Sequence, residues 1–172
     1  MKNLTRTKLT KPRTRASFFY FLLAGMLLFS AGCATPYLKG VTPAGEKVYV
    51  GPLPIENTEA FQTFLHSSKT EVDKQLYLFQ RLKAAMDLEY YHDGSWYSWL
   101  ETYRGGTWLI RNRYKKDQDT RDFLRKHVWH SETTGKLHLV RFPDGSIQIG
   151  YFLLLNELDL LEAALQHEIN KN

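Results

Sequence analysis

Between Tyr90 and Trp129 the aromatic residues Tyr90, Tyr91, Trp96, Tyr97, Trp99, Tyr103, Trp108, Tyr114, Phe123 and Trp129 are interleaved with Arg104, Arg111, Arg113, Lys115 and Lys116. Rings of this kind stack on the apolar C–H faces of sugars, and a guanidinium forks onto carboxylate or phosphate. Trp96, Trp99, Tyr103, Arg104, Trp108 and Arg111 are therefore the candidate ligand-binding set. The same residues serve as core mass with arginine stems laid across it, and that plainer reading is favoured because spacing alone does not show that the rings face outward.

Other constellations are thinner. His127 and His130 stand three apart, and His92-Asp93 joins them only if the fold brings the two turns together. A divalent metal needs three or four converging donors, so two histidines at helical spacing do not define a site, and no metal or cofactor is expected. His138, between Leu137 and Leu139, is expected on the polar side of a strand. Ser131-Glu132-Thr133-Thr134-Gly135-Lys136 lacks the first glycine and the final hydroxyl of a phosphate loop and precedes a strand. There is no Gly-x-Ser-x-Gly elbow, and Asp117, Asp119 and Asp122 surround a helix start where capping and dipole terms explain them. No catalytic residue is assigned, and an enzyme is not the favoured class.

These side chains must be positioned by short helices and one hairpin. Asn57 and Thr58 precede a capped helix over 59–65. Val72, Leu76, Phe79, Leu82 and Met86 are spaced four, three, three and four, which predicts the buried stripe of a second helix with Asp73, Lys74, Arg81 and Lys83 off it. Asp93-Gly94 marks a turn, and Ser95 or Ser98 caps a helix expected to stop at Gly105-Gly106. Residues 108–114 are ambiguous between helix and strand. Asp119 or Thr120 starts a helix carrying Phe123, Leu124 and Val128. Two runs around Pro143-Asp144-Gly145 read as a hairpin.

From Tyr151 to about Ile169 a leucine-rich helix leaves only the stripe Asn156, Asp159, Glu162 and Gln166 for solvent. Either the helix is central and covered on nearly every side, which is the favoured reading, or Leu154, Leu158 and Leu161 form a face for a second copy of the chain or another partner. The fold class expected is α+β, mainly helical, with one small antiparallel hairpin and an extended tether before it.

The chain of 172 residues opens with Lys2, Arg6, Lys8, Lys11, Arg13 and Arg15 and no acid, then an apolar block over 16–30, then Ala31-Gly32-Cys33. Cys33 is the only cysteine. The apolar block is shorter than the roughly 20 residues a spanning helix needs. This ending resembles the lipobox of bacterial lipoproteins, although Ser30 stands where that family usually has Leu. The resemblance implies diacylglyceryl transfer to Cys33, cleavage before it, and membrane attachment through the lipid. Ala34, in place of the Asp typical of inner-membrane retention, implies the outer membrane with the domain facing the periplasm. The expected organisation is 1–32 export signal, 33–54 lipidated N terminus and extended linker, and 55–172 globular domain.

Without those six basic residues, seventeen basic stand against eighteen acidic, so the excess that would suggest nucleic acid leaves with the signal. His92-Asp93-Gly94-Ser95-Trp96-Tyr97-Ser98, Thr120-Arg121-Asp122-Phe123-Leu124 and Ser131-x-x-Thr134-Gly135-Lys136 ahead of Val140-Arg141-Phe142-Pro143-Asp144-Gly145 resemble a family of small exported bacterial proteins of unknown function, over about 71–161. That resemblance implies a compact exported domain and no particular activity. The function expected is a lipid-anchored interaction or structural module of the cell envelope that binds a protein or glycan partner. The alternative is an envelope hydrolase.

Overall fold

The computed structural model describes residues 39–171, so Cys33, the export signal and the start of the expected linker lie outside the described residues. A 3-10 turn, Ile55–Asn57, leads into helices α1 (Glu59–Leu65) and α2 (Glu71–Lys83). The strands β1 (Glu89–His92) and β2 (Ser95–Ser98) follow, then α3 (Trp99–Arg113) and α4 (Thr120–His127). A second hairpin of β3 (Leu139–Arg141) and β4 (Ile147–Ile149) runs directly into α5 (Gly150–Lys171). The two hairpins join into one antiparallel sheet of order β2-β1-β3-β4. The mainly helical α+β class is as expected, with the sheet twice the predicted size.

The hairpin missed in the sequence is β1-β2. Asp93 (φ 50°) and Gly94 (φ 102°) both take left-handed backbone, the geometry of a two-residue turn that matches strand twist. Ser98 then ends β2 and caps α3: its hydroxyl accepts from Glu101 N while the Glu101 carboxylate accepts from Ser98 N at 2.9 Å. Helix α3 passes through Gly105-Gly106 without stopping, because Gly106 is a packing site. A Cβ there would lie 2.1 Å from Cε1 of Phe79, so the missing side chain is what lets α2 and α3 meet.

Phe79 and Leu82 of the predicted stripe are buried and Val72 packs against the core, but the buried face of α2 is broader than predicted and excludes Leu76. Gln75, Tyr77, Leu78, Phe79, Arg81 and Leu82 are buried, whereas Leu76 is 40% exposed and Met86, past the helix end, is 62% exposed. Arg81, placed off the stripe by its charge, is fully buried against an equally buried Glu157 of α5 at 2.8 Å.

That pair accounts for a further correction. Residues from 40 to 54, expected to run as part of an extended linker, are packed onto the domain. Glu157 accepts from Val50 N at 2.7 Å and Gly51 N at 3.2 Å, and Arg81 donates to the Pro52 carbonyl at 2.8 Å. Asn156 donates to the carbonyls of Gly40 and Val48, and Gly40 N donates to Gln148. Asn156, read as solvent-facing, is thus buried. Within this segment a β-bridge pairs Val41 with Lys47.

In α5, Leu154, Leu158 and Leu161 all lie in the core, between 0% and 4% exposed. They are covered by residues of the same chain, including Phe123 and Leu124 of α4 and Leu78 and Leu82 of α2. Central burial, the favoured reading of this helix, is what the structure has, and the alternative partner face at these three leucines is not a surface.

Candidate functional site

Side chains opposite one another in an antiparallel sheet share a face. Tyr90, Tyr97, Val140 and Gln148 occupy the side turned to the helices, and Glu89, Tyr91, Trp96, Leu139 and Arg141 the other. Between the inner side and helices α3 and α5 lies a cavity of about 450 Å³. Its walls are apolar: Leu82 and Phe79 from α2, Leu109 from α3, Val140 from β3, Leu153 and Leu154 from α5. Gly105 and Gly106 open the α3 side, and Gly105 has nothing within 4 Å of where its Cβ would be.

The residues of the wall that carry polar side-chain groups are Tyr90, Tyr91, His92, Tyr97, Glu101, Thr102, Trp108, His127 and His138. The side chain of His127 is only 4% exposed, and its Nδ1 lies 2.8 Å from the Glu132 carboxylate. An ionised carboxylate must be donated to, so the Nδ1 carries the proton and Nε2 is the bare nitrogen of the neutral ring. Burial holds the His127 pKa below its ordinary value, against the pull of Glu132. Tyr90 is 8% exposed, and its hydroxyl has no partner among the described residues. Burial alone pushes that phenol well above its usual range.

His138 shows a second ordered pair. Its Nδ1 donates to the Val128 carbonyl at 3.0 Å, which leaves Nε2 to accept from His92 Nδ1 at 2.9 Å. On the other side of His92 the Asp93 carboxylate stands 3.5 Å away. Burial lowers the His138 pKa, and hydrogen bonds from Thr134 and Ser131 keep Asp93 ionised. Thus the fold does bring the His92-Asp93 turn to the loop after α4, but the histidine that meets it is His138, which lines the cavity instead of facing a polar strand surface. His130 is exposed. The loop Ser131–Lys136, which lacked the marks of a phosphate site, clamps the β1-β2 turn: Ser131 Oγ accepts from Thr133 N and Thr134 N and donates to Asp93.

The six aromatic and cationic candidates do not converge. Trp99 and Tyr103 are packed against the core, and Arg104 and Arg111, two turns apart on α3, are exposed. Trp96 lies on the outer face of the sheet beneath Arg141, whose guanidinium sits 4.2 Å from the ring centroid and also pairs with Glu89 at 2.6 Å. Only Trp108, 57% exposed, reaches the cavity. Sequence reasoning missed Tyr90, His127 and His138 as a set because they come from three elements. The available signal was a pair of glycines inside a helix beside a strand of aromatics.

Among the described residues no group of three or more His, Cys, Asp or Glu side chains is placed to hold a metal ion, and no helix is long and apolar enough to cross a membrane. Comparison with protein-family models, with curated proteins and with solved structures gives no match.

Proposed function

We propose that this protein is an envelope-tethered binding module that holds one small, largely apolar molecule in the cavity between the sheet and helices α3 and α5. The observation that supports this reading is the cavity itself. Its 450 Å³ falls within the roughly 300–1,000 Å³ of small-molecule sites, and an apolar wall with a few fixed polar groups is their usual composition. Attachment would come from lipid on Cys33, with the domain on the periplasmic side of the outer membrane. The partner is then a small molecule of that compartment; the glycan or protein partner would instead have to use the outer face of the sheet around Trp96.

Among the described residues the core and the side chains packed against it run from Val48 to Leu165, so the chain from Thr35 onward contains that core and can be studied without lipid. A neutral solvatochromic dye such as Nile red should bind it with a blue-shifted emission, and Leu109→Trp, which fills the cavity, should abolish that change. Binding that survives the filling, or no binding at all, removes this reading.

One observation favours a second reading, hydrolysis of the bound molecule: Glu132 and His127 have the orienter–base geometry of general-base catalysis. Turnover of short-chain aryl esters that is lost in His127→Gln supports it. Ester hydrolysis no faster than in buffer excludes it for that substrate class.

A further inference from the structure

We infer that the face carrying Trp129, Tyr151 and Phe152 rests in the headgroup region of the bilayer that holds the lipid on Cys33. This inference rests on the tethering reading and is independent of what fills the cavity. Three observations carry it: how little free chain remains, where that chain joins the domain, and which side chains stand at that point.

Gly40 is fastened to the domain through both of its backbone groups. Its N–H donates to Gln148 at 2.9 Å, and its carbonyl accepts from Asn156 at 2.8 Å. From Cys33 to this clamp the chain advances seven residues, which at about 3.6 Å each reach no further than about 25 Å even when fully extended. A linker running free to residue 54 would have reached about 75 Å.

A compact domain of this length has a radius of gyration of about 14 Å and is thus about 36 Å across. With the face opposite Gly40 laid on lipid, Gly40 would stand nearly that far above the anchor, beyond the reach of the chain. The half of the domain around Gly40 is therefore the half that meets the bilayer.

An aromatic run starts beside this clamp. A Cβ on Gly40 would lie 3.0 Å from Cβ of Phe152. Phe152 meets Tyr151 edge-on at 5.3 Å, and Tyr151 stacks on Trp129 at 5.4 Å with 13° between the rings. Trp129 is 38% exposed, and Tyr151 and Phe152 are half-buried. Tryptophan and tyrosine, each an apolar ring with one polar edge, concentrate at the membrane–water interface, where the ring meets acyl chain and the N–H or O–H stays wet. That preference requires no particular charge on the lipid.

Cys33 is the only cysteine, so in the acylated protein an introduced cysteine is the one free thiol. The test places the fluorophore NBD on that thiol in His130→Cys, beside Trp129, and separately in Asn112→Cys, one turn beyond the exposed Trp108 of α3; both positions are exposed. The lipidated full-length protein is reconstituted in phosphatidylcholine vesicles containing a headgroup-spin-labelled lipid, and quenching is read at each site. Quenching should be severalfold stronger at 130 than at 112. Adding Trp129→Ala to the His130→Cys protein should bring its signal down towards that at 112, with the urea midpoint showing that the domain is still folded.

Equal quenching at the two sites, stronger quenching at 112, or a contrast unchanged by Trp129→Ala overturns the inference. A purified protein whose intact mass shows no lipid on Cys33 overturns the tethering reading beneath it instead.

Discussion

The fully buried Arg81–Glu157 pair ties α2, α5 and residues 50–52 together. Each ion loses several kcal/mol of solvation, offset here because Glu157 also accepts from Val50 N and Gly51 N and Arg81 also serves Pro52 O. Removing one partner strands the other: Arg81→Met or Glu157→Gln should cost about 3–5 kcal/mol in urea unfolding. The double variant should cost less than the sum of the two, and strict additivity would show that the charges are not coupled. A second expectation concerns pH. His127 and His138 have folded pKa values held down by burial, so the unfolded chain binds protons more readily. Their stabilisation is complete above the unfolded value, about 6.5, and is lost as pH falls from there through the folded values. The unfolding free energy should therefore drop between about pH 7 and 5, and His138→Gln should flatten the slope. A profile flat over that range, or rising as pH falls, contradicts the burial of both rings. None of these residues was legible alone: a charge in an amphipathic helix reads as solvated until a partner 76 positions away is known.

At the level of elements, helix positions and caps were legible, and which side of each helix faces inward was less so. Thr58, Ser98 and Asp119 cap where a short hydroxyl or carboxylate precedes an apolar run, and Thr70, not singled out in the sequence, caps α2 in the same way. The α2 stripe was read correctly at Phe79 and Leu82 but too narrowly, because Gln75, Tyr77 and Arg81 carry polar groups yet are buried, and Leu76, read inward, is exposed. Leu78→Ala should accordingly cost about 2–5 kcal/mol and Leu76→Ala under about 0.5, measured by urea midpoint. The paired glycines of α3 give an expectation of opposite signs at neighbouring positions. Gly106→Ala puts a methyl into Phe79 and should destabilise by about 1–3 kcal/mol. Gly105→Ala meets open space and should stabilise by about 0.5–1 kcal/mol through helix propensity. Equal effects at the two would mean that α2 and α3 do not approach as described. The β1-β2 hairpin was hidden because its strands are four residues each and Ser95-Trp96-Tyr97-Ser98 reads as easily as a helix start.

For the whole molecule, the α+β class followed from periodicity and turn residues, but the cavity did not. It is a space left between elements far apart in sequence, and no local pattern encodes an absence of atoms. Proline and glycine content made residues 40–54 look like free linker, whereas backbone groups held by Gln148, Asn156 and Glu157 fasten them down. Tethering remains a separate expectation: Cys33→Ser should abolish lipid attachment, and a variant that keeps the wild-type mature mass and detergent partitioning would refute it. The cavity reading is tested most directly by amide NMR of the chain from Thr35 titrated with 1-decanol. The account predicts saturable shifts centred on Gly105, Gly106, Val140 and Leu153, abolished in Leu109→Trp. Shifts centred instead on the open depression around Lys74, Glu162 and Ile169, or spread without saturation over the surface, would contradict it.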